Sequence, residues 1–162
     1  MNNMKTICLL VLTTTFLLGF TGILAARAVR IWPYQELLEK SDLVVLATPT
    51  ATNDTEEHID LPGFVGEHVI GVETRFTVSA VLKGDKALRD FVFHHYRTTD
   101  GSNIPHVDNG PTFISFDPVV SPTITPRTFI LFLIREADRR YAPVVGQTDP
   151  GGAVRELRGA SR

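Results

Sequence analysis

The stretch from Thr74 to Asp85, TRFTVSAVLKGD, decides the fold class, because apolar and polar residues alternate along it. Every second residue is apolar and would lie on one face of an extended chain: Phe76, Val78, Ala80 and Leu82. Alternation with a period of two is typical of a half-buried β-strand, and Lys83-Gly84-Asp85 would end it in a turn. Gly71, near its beginning, predicts a bulge or bend.

Turn and loop residues separate further runs of the same kind on both sides of this strand. The predicted strands are Leu43 to Thr48, Phe91 to Tyr96, Thr112 to Phe116, Phe129 to Ile134, Tyr141 to Val145 and Ala153 to Leu157. Short strands at regular spacing with turn signals between them indicate a closed or partly open β-barrel of about five to six strands.

Two other segments do not follow the strand pattern. Pro33 to Lys40 has apolar residues at helical spacing, with proline at a position that tolerates a missing N–H, and predicts one short N-terminal helix. Residues 50–67 are polar and contain Pro62-Gly63, so they are predicted to form a long surface loop.

The first 28 residues are typical of a secretory signal peptide. Lys5 precedes an apolar run from Thr6 to Leu24, and Ala26-Arg27-Ala28 fits an A-x-A cleavage site. We therefore predict cleavage after Ala28 and a secreted or periplasmic protein in which residues 29–162 form a single domain. The alternative is an uncleaved membrane anchor, because the apolar run can nearly span a bilayer.

The composition of the mature chain excludes several classes of function. The only cysteine, Cys8, lies in the leader, so no disulfide, thiol nucleophile or cysteine metal ligand is expected. Of the 16 Lys and Arg, Lys5 and Arg27 also lie there, which leaves 14 against 18 Asp and Glu, a formal charge of −4. This balance, without a basic cluster, disfavours nucleic acid binding. No membrane association is predicted after cleavage.

Two segments together resemble the N-terminal half of netrin-like, or tissue-inhibitor-of-metalloproteinase-like, domains. They are Pro33 to Ala47, PYQELLEKSDLVVLA, and Thr74 to Asp85, with its Leu-Lys-Gly ending. The resemblance implies an OB-like barrel, and the later segments look like those of an uncharacterised secreted bacterial family with the same layout. Metalloproteinase inhibitors of the netrin-like family act through a mature N-terminal cysteine. Here the mature chain begins Val29-Arg30-Ile31, so that mechanism is not implied.

The adjacent histidines of Asp90 to Arg97, DFVFHHYR, are the first candidates for chemistry. Neighbouring residues of a strand point to opposite faces, so His94 and His95 cannot both bind one ion in regular geometry. If Phe93 faces the core, His95 does too and His94 is exposed to solvent. One of them could join loop residues in a three-ligand zinc site. The metal-ligand candidates are therefore His94, His95, His106 and Asp108, with His58, Asp60 and His68 as a further source of ligands.

Catalytic signatures are missing from the sequence. It contains no G-x-S-x-G elbow, no H-E-x-x-H helix and no phosphate-binding loop, and no catalytic or cofactor-binding residue is predicted. The favoured hypothesis is a secreted, non-catalytic binding module whose partner is another protein or an extracellular polymer. Two alternatives stay open: a metal-dependent hydrolase that uses His94 or His95 with His106 and Asp108, and a structural envelope-associated protein.

Overall fold

The computed structural model describes residues 30–60, 68–99, 113–116, 127–147 and 150–157. In chain order its elements are α1 (Tyr34–Lys40), β1 (Leu43–Asp60), β2 (His68–Lys83), β3 (Asp90–Thr98), β4 (Thr128–Arg135), β5 (Tyr141–Pro143), a 3-10 turn (Pro150–Gly152) and β6 (Val154–Leu157). The predicted leader over residues 1–28 lies outside these ranges. Among the described helices, none has the length and apolar character needed to cross a membrane.

The strands close on themselves through a ring of hydrogen bonds. Around the ring the order is β1, β2, β3, β5 and β4, and β4 pairs with β1 to complete it. Every pairing is antiparallel except β3 with β5, which is parallel and rests on the pair Phe93 and Tyr141. β6 pairs with the first half of β4, on the side that β5 occupies further along. The prediction of a mainly β fold of about five to six strands with one short N-terminal helix is confirmed.

Aromatic rings fill the inside of the ring of strands. The ring centroid of Phe76 on β2 lies 5.4 Å from that of Phe91 and 5.9 Å from that of Phe93, both on β3. Phe116 lies 5.1 Å from Phe76 and 5.2 Å from Phe129 on β4. Aliphatic side chains from β1 and β4 complete this core: Leu43, Val45, Ala47, Leu131 and Leu133. Burial of a large apolar side chain stabilises the fold by about 1.5 to 3 kcal/mol, so this cluster is its main source of stability.

The helix covers the outside of the ring where β1 and β4 meet. Leu37 is fully buried and packs in a second cluster with Val44, Phe132 and Ala153. The helix begins directly after Pro33, whose carbonyl accepts the first helical hydrogen bond from the amide of Leu37 at 3.0 Å. The helix predicted over Pro33 to Lys40 is confirmed, beginning one residue later at Tyr34.

The prediction of a long loop over residues 50–67 is wrong for its first part, because β1 continues as a strand to Asp60. From Thr55 onward, half-buried and exposed residues alternate, and Thr55, Glu57 and Ile59 are the half-buried ones. The alternation is therefore present but carried by polar residues, which hides it from a search for apolar periodicity. Residues 61–67 lie outside the described ranges.

The first strand was predicted to end at Thr48, just before Pro49, but β1 continues through this proline. The pairing of β1 with β4 stops at Ala47, so beyond that point the backbone of β1 pairs only with β2 among the described strands. The register between β1 and β2 shifts between Pro49 and Ala51. A proline fits here because β1 has a neighbouring strand on one side only, so the N–H that proline lacks need not be a ladder donor. The register shift also accommodates an interruption of the pairing.

Two further expectations are corrected by the packing. Register shifts between β1 and β2 turn Val81 toward the core and leave Leu82 52% exposed, although Leu82 was expected on the inner face. Residues 113–116 were expected to belong to a strand from Thr112 to Phe116, but they form none. Phe116 is nevertheless buried, because its ring packs against the phenylalanines inside the ring of strands.

Candidate functional site

The two neighbouring histidines of β3 lie on opposite faces of the strand, as predicted. The ring of His95 faces inward, with its centroid 5.3 Å from those of Phe93 and Phe116. The ring of His94 faces outward and contacts Tyr96 at 5.2 Å. Both are only 2% exposed, so the expectation that His94 is exposed to solvent is wrong. Its face of the sheet is covered by side chains from other elements.

His95 takes part in a chain of hydroxyl groups inside the ring. Its Nε2 lies 2.9 Å from Oγ1 of Thr74, which lies 3.0 Å from Oγ1 of Thr52. The Thr52 hydroxyl is 3.2 Å from the carbonyl oxygen of Phe116. All three bonds form only if Nε2–H donates to Thr74, Thr74 donates to Thr52, and Thr52 donates to the carbonyl. The arrangement therefore suits a neutral imidazole with its proton on Nε2.

The pKa of His95 agrees with this arrangement. Burial, and after it the electrostatic effect of the neighbouring His94, lower the pKa of His95 from its ordinary value of 6.5 to about 4. Desolvation disfavours the charged form of a buried base. His95 is therefore neutral at physiological pH and fills a polar position in an aromatic core.

His94 lies between two carboxylates from different parts of the chain. Its Nδ1 lies 2.9 Å from Oε2 of Glu136, which follows β4, and 2.9 Å from Nε2 of Gln147. Its Nε2 lies 3.1 Å from Oε2 of Glu57 on β1, although this contact lacks hydrogen-bond geometry. The ring is thus fixed on both edges by groups that are distant in sequence.

A bulge in β1 brings Glu57 over β3. The register of β1 against β2 slips between Asp54 and His58, so three residues of β1 stand opposite Gly71 of β2. A Cβ atom at position 71 would lie 2.5 Å from Oγ1 of Thr55 and 3.0 Å from Cβ of Glu57, closer than packed atoms approach. The bulge therefore requires glycine at this position. Gly71 was expected to mark a bulge or bend in its own strand, and the structure instead places the extra residues opposite it, in β1.

Tyr96 holds the Glu57 side chain in place from the other side. Its hydroxyl donates to Oε1 of Glu57 at 2.8 Å. Burial and then the hydrogen bond to Glu57 raise the pKa of Tyr96, so the phenol stays protonated and remains a donor. The Tyr96 ring packs with Val69, Ile59 and Phe113, a small apolar cluster beside the charged groups.

The turn between β4 and β5 supplies the remaining charges. Arg139 adopts a left-handed conformation with φ of 78°, and its amide donates to the carbonyl of Glu136 at 3.0 Å. The following residue, Arg140, points back over the sheet: its Nη1 lies 3.2 Å from Oε1 of Glu73 and its Nε lies 2.7 Å from Oδ2 of Asp138. Glu136 and Glu57 lie 3.6 Å and 3.8 Å from the same guanidinium.

Only some of the candidate metal ligands lie within the described residues. His94 and His95 point to opposite faces and do not share an ion. His106 and Asp108 lie outside the described ranges, so their place relative to His94 stays a prediction. In the part of the chain that is described, no three His, Cys, Asp or Glu side chains are grouped so that they could hold a metal ion.

The sequence did not predict which residues would meet around His94. The cluster takes Glu57 from β1, Glu73 from β2, and Glu136, Asp138, Arg140 and Gln147 from the turn and the segment after β5. Gly71 was the one local signal of this site in the sequence, because β1 approaches β2 closely at this residue. A search of family models finds no match to this chain, and a search of curated proteins finds none either.

Proposed function

We propose that the chain is a secreted or periplasmic, non-catalytic binding module whose partner is another protein or an extracellular polymer. The observation that carries this proposal is the convergence of side chains from four elements on the outer face of β2 and β3. The bulged part of β1, the two paired strands and the turn after β4 all contribute side chains to one charged surface. The secretory leader predicted from residues 1–28 supports the compartment.

The order of the strands supports an OB-like interpretation of the ring. OB-folds are five-stranded barrels that bind ligands on the face of strands 2 and 3, between the loop that joins strands 1 and 2 and the loop that joins strands 4 and 5. In this chain the β1–β2 hairpin and the turn from Glu136 to Arg140 flank the same face. The likeness concerns the architecture, whereas the identity of the partner depends on the side chains of the binding surface.

The burial of the two histidines supports a role without catalysis. A general acid or general base that acts on a substrate must reach it, directly or through one water molecule. His94 and His95 are each 2% exposed and are already surrounded by protein groups. Their contacts hold elements together, which suits a rigid binding surface.

Site-specific crosslinking tests the location of the binding surface. A photoreactive amino acid would replace Asp138 at the turn or, as the control, Glu39 on the far side of helix α1, and the full chain would be exposed to the secreted fraction of its host. We expect one saturable crosslinked partner from position 138 and none from position 39. Equal capture at both positions, or no saturable capture at all, would contradict the proposal, and the latter result would favour a structural envelope role.

Metal analysis separates the proposal from the hydrolase alternative. The mature protein would be purified without chelators and its zinc content measured beside that of His106→Ala. We expect no stoichiometric metal in either protein. Zinc at one equivalent that disappears in His106→Ala would overturn the non-catalytic interpretation.

A further inference from the structure

We propose that His94 is the positioning residue of the outer face of β2 and β3, because its ring couples the β1 bulge to the β4–β5 turn. The β1 bulge is the part of β1 between Asp54 and His58, and the β4–β5 turn runs from Glu136 to Arg140. A partner that contacts one of these elements would thereby fix the other. This inference rests on the proposed function, because it concerns the rigidity of the same binding surface.

Side chains carry the contact between the two coupled elements. Beyond Ala47 the backbone of β1 pairs only with β2 among the described strands, so the β1 bulge has no backbone pairing with the turn there. The ring of His94 lies between Glu57 of the bulge and Glu136 of the turn. Arg140 of the turn also lies 3.8 Å from Glu57, but the ring nitrogens of His94 are closer to both carboxylates.

The Nε2 edge of the His94 ring faces the β1 bulge. Nε2 is buried and lies 3.1 Å from Oε2 of Glu57. A lone pair on Nε2 would face this carboxylate acceptor to acceptor, whereas an N–H group is attracted to it. Nε2 therefore keeps its proton and draws in the Glu57 carboxylate, whose other oxygen accepts a hydrogen bond from Tyr96 at 2.8 Å.

The Nδ1 edge faces the β4–β5 turn in either protonation state of the ring. Nδ1 lies 2.9 Å from Oε2 of Glu136 and 2.9 Å from Nε2 of Gln147, and it cannot donate to the first and accept from the second at once. A protonated Nδ1 donates directly to Glu136. An unprotonated Nδ1 accepts from Gln147, whose Nε2 also lies 3.5 Å from Oε1 of Glu136. The connection to the turn thus persists whether His94 is charged or neutral.

The position of the His94 ring is set by regular strands. His94 stands opposite Glu73 in the pairing of β3 with β2, and its ring centroid lies 5.2 Å from that of Tyr96. The residue is 2% exposed, so the ring has little room to turn. A displacement of one carboxylate is therefore transmitted to the other, because a buried polar network that is held on all sides specifies one arrangement.

Hydrogen exchange in a set of variants tests the coupling. The readout is the exchange of the amides of Glu136 and Arg139, which donate backbone hydrogen bonds within the β4–β5 turn. We expect Glu57→Ala in the β1 bulge to accelerate the exchange of both amides about three- to tenfold. In a His94→Leu background, Glu57→Ala should cause no further acceleration, because the ring that connects the two elements is already gone.

A matched control removes a different carboxylate from the same strand. Asp54→Ala breaks the ion pair of Asp54 with Arg97, which does not involve His94, and should leave the exchange of both turn amides unchanged. Two further backgrounds keep the test decisive if His94→Leu does not fold. The amide in His94→Asn reaches only toward the place of Nδ1 and that in His94→Gln only toward the place of Nε2. Neither spans both contacts, so either background should also abolish the effect of Glu57→Ala on the turn.

Equal acceleration by Glu57→Ala with and without the His94 ring would overturn the inference and assign the coupling to Arg140. No acceleration in the wild-type background, or the same acceleration by Asp54→Ala, would overturn it as well. Exchange is measured without a partner, so it is independent of crosslinking from position 138. A captured partner together with uncoupled exchange would refute only the role of His94, and coupled exchange without a captured partner would refute only the proposed function.

Discussion

At the scale of single residues, His94 and His95 have the same chemistry and opposite environments. His95 faces the aromatic core, where burial lowers its pKa to about 4, while His94 faces carboxylates on the outside of the ring. The sequence predicts the opposite orientations, because strand geometry alone fixes them. It cannot predict that the outer histidine is buried, since Glu57, Glu136 and Gln147 come from distant positions.

The depressed pKa of His95 predicts a specific loss of stability in acid. The unfolded chain binds a proton at His95 near pH 6.5, whereas the folded protein binds it only near pH 4. The contribution of this group to the free energy of unfolding is therefore complete above pH 6.5 and decreases as the pH falls through this window. The stability lost amounts to about 3 kcal/mol once the pH is below 4.

Urea unfolding of the wild type and of His95→Gln, measured at several pH values, checks this prediction. The variant should lose less stability than the wild type between pH 6.5 and 4, whatever its stability at neutral pH. Parallel curves for the two proteins would show that His95 does not cause the acid sensitivity.

Gly71 predicts a second effect at this scale. A methyl group there would collide with Thr55 and Glu57 of the bulge, so Gly71→Ala should destabilise the fold by about 1 to 3 kcal/mol in urea unfolding. Gly151→Ala is the matched control, because nothing lies within 4 Å of the added Cβ, and it should be nearly neutral. Similar stabilities for the two variants would mean that β1 does not cross β2 so closely.

At the scale of elements, irregular pairing decides where side chains point. The alternation in Thr74 to Asp85 correctly predicts a strand, yet shifts against β1 turn Val81 inward and Leu82 outward. The polar half of β1 was predicted as a loop, although it pairs with β2 as far as Asp60. Both differences arise because cross-strand pairing is a property of two segments, and periodicity within one segment does not report it.

The contact between helix α1 and β4 can be tested through Phe132. Its ring is 4% exposed and packs with Leu37 and Val44, so Phe132→Ala should lower the free energy of unfolding by about 3 to 5 kcal/mol. Ile134→Ala, two residues along the same strand and 37% exposed, should cost clearly less. Equal losses in chemical denaturation would contradict the packing of the helix on this face.

At the scale of the whole molecule, the extent of strand pairing differs around the ring. β1 and β4 share five residue pairs in register, whereas β3 and β5 share one. We expect native-state hydrogen exchange to show the strongest protection for the amides of Val45 and Leu131, and faster exchange for those of β5. Uniform protection of β4 and β5 would show that the β3–β5 contact is not where the ring opens.

The sequence by itself determined the mainly β class, the short helix, the turn near Gly84, and the opposite faces of the two histidines. These features depend on periodicity and on the conformations of residues near one another in the chain. The tertiary structure decided which strands pair around the ring, that polar residues 50–60 extend β1, and that four carboxylates and Arg140 meet beside His94. These features depend on pairing between segments far apart in sequence, and burial then changes the chemistry of the groups that pairing brings together.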